Sequence, residues 1–402
     1  MTTAPTGQTI STGHRVQSID VLRGIAVILV VLHHIHLRFK INKFDVVTLV
    51  PEPLGKVLFW SGYYSVIAFF VMSGFLITSL SLRRWGTLEN ISAPAFYRMR
   101  AARIFPCLLL LIAVLSALHL AGFTDYIVDP ERASLTRVVL AALTFHINWL
   151  EGMRGYLPGS WDVLWSLSVE EVFYLLFPVL CLVLRRERWV LLGMLAVIAI
   201  GPFNRIALEG REPWSDYAYL SCMDGIAFGC LAAWVSARTQ MSRSVARTAM
   251  LLGVAAIVLI VVLRSLTFSL GLTRTGLNVT ILELGVALVL YALANGVGHQ
   301  ALSKGTGLIQ LAGRSSYEIY LTHMFVVFAL MHPFKALFGA SPHGSAFPIA
   351  YVIMLAVSIA LGFAVSRWYS EPLNQKLRSH RTSRVPLPAP AALGRVTTNS
   401  GE

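Results

Sequence analysis

Apolar runs of about 17 to 25 residues recur along the whole chain, and each has the length a helix needs to cross a hydrocarbon layer of roughly 30 Å. The pattern predicts ten crossings, at 20–39, 58–82, 104–123, 168–184, 189–204, 217–236, 248–268, 277–297, 316–334 and 347–367. One more apolar segment, Val138 to Leu150, is too short for an ordinary crossing. It reads as re-entrant or interfacial, because counting it as a span would invert every downstream loop against the charge pattern. The expected fold is an all-α polytopic membrane helical bundle. The membrane domain covers 18–373, between a short polar segment, 1–17, and a tail, 374–402, whose Pro and Ala content reads as disorder. No small-residue cleavage site follows the first run, so that run reads as part of the mature protein.

Composition strengthens this picture. The chain is 56% hydrophobic and 13% charged, more apolar than the core of a soluble protein of this size can hide. The formal charge is +13, but the basic residues do not form a nucleic-acid-binding face. They gather in alternate inter-helix segments: Arg83, Arg84, Arg98, Arg100 and Arg103; then Arg185, Arg186 and Arg188; then Arg238, Arg243 and Arg247; then Lys376, Arg378, Arg381 and Arg384. That is the positive-inside pattern, and it predicts a multi-pass membrane protein with both termini in the cytosol. The loop holding Lys40, Lys43 and Lys56 dissents, since the same count places it outside. Cys107, Cys181, Cys222 and Cys230 fall within apolar runs without a Cys-x-x-Cys pair, and no His or carboxylate cluster has metal-ligand spacing. Neither a disulfide framework nor a metal is expected.

The first span, SIDVLRGIAVILVVLHHIHLRF, carries groups that a lipid-facing helix avoids. Eleven residues separate Arg23 from His34, close to three helical turns, so both lie on one face roughly 16 Å apart along the axis. Asp20 is one turn before Arg23 and placed to pair with it, whereas His33 points about 100° away. An intramembrane His can simply bond a neighbouring helix. An aligned Asp, Arg and His is costlier, because each ionisable group at depth must be paired or face a cavity.

Other spans add to this set. In FFVMSGFLITSL, Ser73 is placed at a depth that matches His34, and Ser73 and Gly74 also suit close helix packing. In FYRMRAARIFP, Arg98, Arg100 and Arg103 stand at the foot of the third span. Arg100 and Arg103, three apart, form a fork suited to phosphate and thus to a cytosolic nucleotide-bearing donor. In WDVLWSLSVEEVFYLLFP, the adjacent Glu170 and Glu171 are expected at the outer start of a span, with at least one facing the protein interior. Asp224, Glu283 and His323 add ionisable groups elsewhere, each either structurally paired or part of a site.

Together these segments resemble the acyltransferase-3 family of integral-membrane O-acyltransferases. The resemblance rests on the Arg-x10-His pattern of Arg23 and His34, FFVMSGFLIT, the basic segment Arg98 to Pro106, WSLSVEEVFY, MDGIAFG around Asp224, SSYEIYLTH ending at His323, and SEP at Glu371, in order from Ser18 to Leu373. It implies about ten membrane helices, acyl transfer from cytosolic acyl-CoA, usually acetyl-CoA, and a glycan or lipid-linked glycan acceptor. It implies His34 as catalytic base, Arg23 as its motif partner, and Arg100 and Arg103 as the basic motif. One position departs: many members carry a His where this chain has Val163, which bears on any proton relay on the outer side. Some relatives also append a soluble acyl-transferring domain, so glycan-assembly proteins are candidate partners here.

The resulting expectation is that acyl-CoA phosphates dock at the Arg98 to Arg103 segment and the thioester reaches His34. Neutral His34 deprotonates a sugar hydroxyl, with Ser73 and Arg23 as oxyanion donors. A small glycosylated molecule such as a macrolide is the alternative acceptor. A glycan-lipid or small-molecule transporter and a non-catalytic scaffold are the rival classes.

Overall fold

The computed structural model describes residues 12–39, 49–239, 242–338 and 347–379. Lys40, Lys43 and the tail beyond Ser379 lie outside the described residues, as do residues 1–11. Among the described residues, ten helices are long and apolar enough to cross a membrane. They are α1 (Thr12–Arg38), α2 (Gly62–Trp85), α3 (Ala93–Leu120), α4 (Leu164–Leu184), α5 (Glu187–Ala207), α6 (Tyr219–Arg238), α7 (Arg243–Val261), α8 (Leu277–Ala294), α9 (Ser316–Phe338) and α10 (Phe347–Val365). These are the ten runs that the hydropathy pattern picked out, and the protein is a polytopic helical bundle.

Several helix ends differ from expectation, and the differences move site residues. The second apolar run is broken at Ser61, with a short helix Glu52–Trp60 before α2. α3 starts at Ala93, so the arginines of its first turns belong to the helix itself. α4 starts at Leu164, after a single turn at Gly159–Asp162, which puts Glu170 and Glu171 inside the span rather than at its mouth. The Val138 to Leu150 region is two short helices, Leu135–Leu143 and Ile147–Arg154, of nine and eight residues, neither long enough to cross. The second is pinned to α4 where the backbone N–H of Ile147 donates to Ser168 Oγ at 3.2 Å.

α1 is a central element, packing on α2, α9, α10 and the short helix Gly307–Arg314. Its Val27, Val30, Val31 and Ile35 are fully buried. α2 and α6 meet backbone to backbone. A Cβ on Gly74 would fall 1.9 Å from the Ile226 carbonyl oxygen, and one on Gly229 would fall 2.0 Å from that of Val71. Only glycine at both positions permits this approach, which accounts physically for the glycines of SGFL and DGIAFG. After α10 the chain makes a π-helical turn, Ser366–Ser370, and continues as a helix to Ser379.

Candidate functional site

α1 sets two levels of chemistry. Arg23 lies near the end where α1 begins, here the basic end, and His34 lies three turns further along. The Nδ1 of His34 is 3.0 Å from the Val30 carbonyl oxygen of its own helix. It is also 3.2 Å from Nε2 of His323, which α9 brings across the bundle, with the two ring centroids 4.9 Å apart. The Nδ1 of His323 in turn meets the carbonyl oxygens of Tyr320 at 2.7 Å and Ile319 at 3.3 Å. Carbonyl oxygens only accept, so in the neutral pair both Nδ1 atoms carry hydrogen. His323 Nε2 then accepts from His34 Nδ1–H, and His34 Nε2 keeps its lone pair. His34 is half-buried rather than sealed. His33 turns the other way: its Nδ1 donates to the Phe59 carbonyl at 2.8 Å, and its ring fills the space above Gly62.

A cavity of about 160 Å³ opens between α1, α2, α3, α4 and α9. Its lining includes Arg23, Ser73, Arg100, Arg103, Glu170 and Tyr174, together with Ser166 and Tyr320. Arg100 lies flat over the Tyr174 ring, 3.6 Å from its centroid, an arrangement in which the ring's negative face holds the guanidinium. Ser73 shares a short hydrogen bond with the Tyr174 hydroxyl. Arg103 grips the buried Glu318 with two bonds, of 2.9 and 3.4 Å. Glu318 also accepts from Ser370 Oγ at 2.7 Å. Thus the SEP and SSYE segments meet at one carboxylate. Ser166 and Tyr320 share a hydrogen bond of 2.7 Å, one turn of α9 before His323.

Three expectations need correction. Ser73 does not lie at the depth of His34: the neighbouring His33 stands against Gly62, and Ser73 is eleven residues further along α2, roughly 16 Å of rise. The antiparallel register therefore sets Ser73 beside Arg23. Asp20 pairs not with Arg23 but with Arg314, at 3.4 Å. Helical side chains lean back toward the N-terminus, and the helix ending at Arg314 comes in on that side, close enough that a Cβ on Gly313 would meet the Asp20 backbone at 1.8 Å. Arg98 is exposed and lines neither this cavity nor the wider one at the basic end, because it projects from a different face of α3 than Arg100 and Arg103. Asp224, for which the sequence left structural pairing and a site role both open, belongs to a separate cluster. It is fully buried and paired with Arg205 at 2.8 Å, beside Glu283, which is also fully buried.

Of the two adjacent carboxylates, Glu170 faces the cavity and Glu171 is buried on the next face of α4, as their 100° separation requires. Glu318, Tyr320 and Ser166 were not singled out by sequence reasoning. The available signal was that all three sit inside the quoted SSYEIYLTH and WSLSVEEVFY segments.

The profile of the acyltransferase domain of the acyltransferase-3 family matches residues 16–367. The chain belongs to that family. Among curated proteins it is similar to O-acetyltransferase OatA of Staphylococcus aureus, with the same figures in strains NCTC 8325 and MRSA252: 27% identity over 161 residues, covering 40% of this chain and 24% of that protein. The chain thus spans about a quarter of the length of the curated relatives it matches. No solved structure matches it. Within the acyltransferase-3 domain, Val163 is buried at the end of the bundle opposite Arg23. Polar groups at that end include Asp162, which accepts from the Tyr217 hydroxyl at 3.0 Å, and Glu151, which accepts from the Leu157 backbone at 3.0 Å. Burial and the neighbouring Asp162 carboxyl push the Glu151 pKa well above the usual carboxylate range.

Proposed function

We propose that the protein is a membrane O-acetyltransferase that takes an acetyl group from acetyl-CoA on the cytosolic side and places it on a sugar hydroxyl of a cell-surface or exported glycan. The basic end of the bundle is the cytosolic end in this reading, and the membrane is the bacterial plasma membrane. The observation that carries it is the His34–His323 pair, whose hydrogen bonds leave His34 Nε2 as the free base. Family membership and the O-acetyltransferase name of the staphylococcal relatives support the reaction class.

In the mechanism, His34 Nε2 removes the proton from the acceptor hydroxyl as its oxygen attacks the thioester carbonyl carbon. His323 stabilises the resulting imidazolium through the Nδ1–H it accepts. Collapse of the tetrahedral intermediate breaks the C–S bond, and the departing thiolate takes the proton from His34, which restores the neutral ring. Ser73 is on the wrong level to serve the oxyanion at His34. The Ser166–Tyr320 pair suits that role better, since two hydroxyls sharing one hydrogen bond retain one free O–H. Arg23, Arg100 and Arg103 hold the donor on its approach.

Expression with a suitable surface glycan should add one acetyl group per modified sugar, removable by mild alkali because esters are labile where amides are not. A base-stable addition would indicate N-acylation. Acetylation of a glycosylated small molecule instead of glycan would keep the reaction and replace the acceptor. Loss of glycan export with no acyl transfer would reject the enzyme reading for a transporter.

A further inference from the structure

Beyond the inner cavity, at the basic end, lies a much wider and more open cavity of about 930 Å³, within the range that holds nucleotide-sized ligands. Five arginines line it, Arg23, Arg103, Arg314, Arg367 and Arg378, against two carboxylates, Asp20 and Glu371. Arg23 and Arg103 also line the inner cavity, so the two spaces adjoin at this pair. The other three come from later segments at the same end, Arg314 just before α9 and Arg367 and Arg378 after α10. Arg314 ends a short helix, Arg367 lies in the π-helical turn, and Arg378 lies on the last helix. The π turn inserts an extra residue into the helical repeat. It lets Ser370 face inward to Glu318 at 2.7 Å while Arg367 faces the wide cavity. Arg314 holds Asp20 only loosely and is mostly exposed. Arg367 and Arg378 have no ion-pair partner among the described residues. The charge of Arg367 and Arg378 is therefore uncommitted, in contrast to Arg103, which Glu318 already neutralises.

We infer that this wide cavity is the subsite for the phosphate-bearing end of the acyl donor, with Arg314, Arg367 and Arg378 as its phosphate ligands. The gap between Arg23 and Arg103 is the passage through which the thioester arm enters the inner cavity. The inference rests on acetyl-CoA being the donor, and it relocates the phosphate contacts from the Arg98 segment to the C-terminal segments. Guanidinium groups suit terminal and bridging phosphates because their fork matches two oxygens at once. The rise of roughly 16 Å from Arg23 to His34 is then what the flexible arm spans.

The test uses the full chain in nanodiscs of zwitterionic lipid and compares binding of CoA, 3′-dephospho-CoA and acetyl-pantetheine, which carries no phosphate. Arg314→Gln, Arg367→Gln and Arg378→Gln should each weaken CoA about threefold to tenfold. They should weaken 3′-dephospho-CoA less and leave acetyl-pantetheine unchanged, with Arg98→Gln as an unaffected control. Equal weakening of all three ligands would mean general damage and would overturn the inference, as would an unchanged CoA affinity in the triple variant. Nanodiscs containing phosphatidylglycerol distinguish a lipid phosphate as the ligand: competition that disappears in the triple variant, with CoA affinity unaffected by those substitutions in zwitterionic discs, would assign the arginines to lipid and overturn the donor subsite. CoA binding that depends on the three arginines, without acetyl transfer to any acceptor, would uphold the subsite and reject the proposed reaction. A wild-type chain that binds no CoA would overturn the subsite and the donor identity together.

Discussion

Two groups of charged side chains lie inside the bundle, built from the same residue types, and they behave as opposites. In the cluster of α5, α6 and α8, Arg205 commits its donors to the Gly276 carbonyl at 3.1 Å, the Ser221 carbonyl at 2.6 Å and Thr280 Oγ1 at 2.6 Å, besides pairing with Asp224. Space around it is closed: a Cβ on Gly201 would strike Asp224 Oδ2 at 2.1 Å, and none of the three charged residues lines the two cavities described. In the cluster of α1, α3, α4 and α9, Arg23, Arg100, Arg103 and Glu170 all face a cavity, and Arg23 has no ion-pair partner among the described residues. Buried charge in a membrane protein marks either a fastening or a site. What separates the two here is adjoining space and donors left uncommitted.

The largest expected effect tests the site side of that contrast. His34→Ala should reduce acetyl transfer about 10²- to 10⁴-fold, the usual worth of a general base, with normal membrane insertion. His33→Ala should do far less, since its Nδ1 is bound to the Phe59 carbonyl at 2.8 Å. Equal losses would break the assignment of the two faces of α1. On the fastening side, Arg205→Met strands two buried carboxylates and should cost about 3–5 kcal/mol of stability, read as a lowered melting temperature in detergent. The protein that survives should keep its KM for the donor. A well-folded Arg205→Met protein with lost activity would merge the two clusters into one functional unit.

A subtler effect is expected at His323. Removing the acceptor for His34 Nδ1–H, as in His323→Phe, should lower kcat on the order of tenfold to a hundredfold with little change in KM, and should shift the pH profile of kcat. His323→Gln, which restores an acceptor oxygen, should recover part of the loss. If both variants lose the same, the imidazole of His323 acts on substrate directly. The smallest effect divides the basic segment of α3. Arg100→Gln should raise the donor KM about tenfold, whereas the exposed Arg98→Gln should leave it within about twofold. Matching changes in the two would return the whole segment to a topological role.

Much of this was legible in the chain. Each span betrays itself because the bilayer demands a long apolar run irrespective of what the helix packs against. The Arg23 and His34 relation was legible because both residues share one helix, where spacing alone fixes direction. His323 was visible only as an ionisable group in a span, and nothing in sequence says which of nine other helices it meets. The Asp20 pairing failed for a related reason: a residue one turn away competes with any helix that docks on the same side, and Arg314 arrived there.

The sequence by itself determined the solvent, the ten crossings, the all-helical fold and which residues share a face of α1, since these follow from hydropathy and the 3.6-residue repeat. Only the tertiary structure decided which levels of neighbouring helices coincide. Register between antiparallel helices depends on side-chain packing and on glycine contacts such as Gly74 against Ile226, and shifting it by three turns moves a group roughly 16 Å. That register set Ser73 beside Arg23, placed Asp224 with Arg205 and Glu283, and brought His323 to His34, where three backbone carbonyls orient the pair.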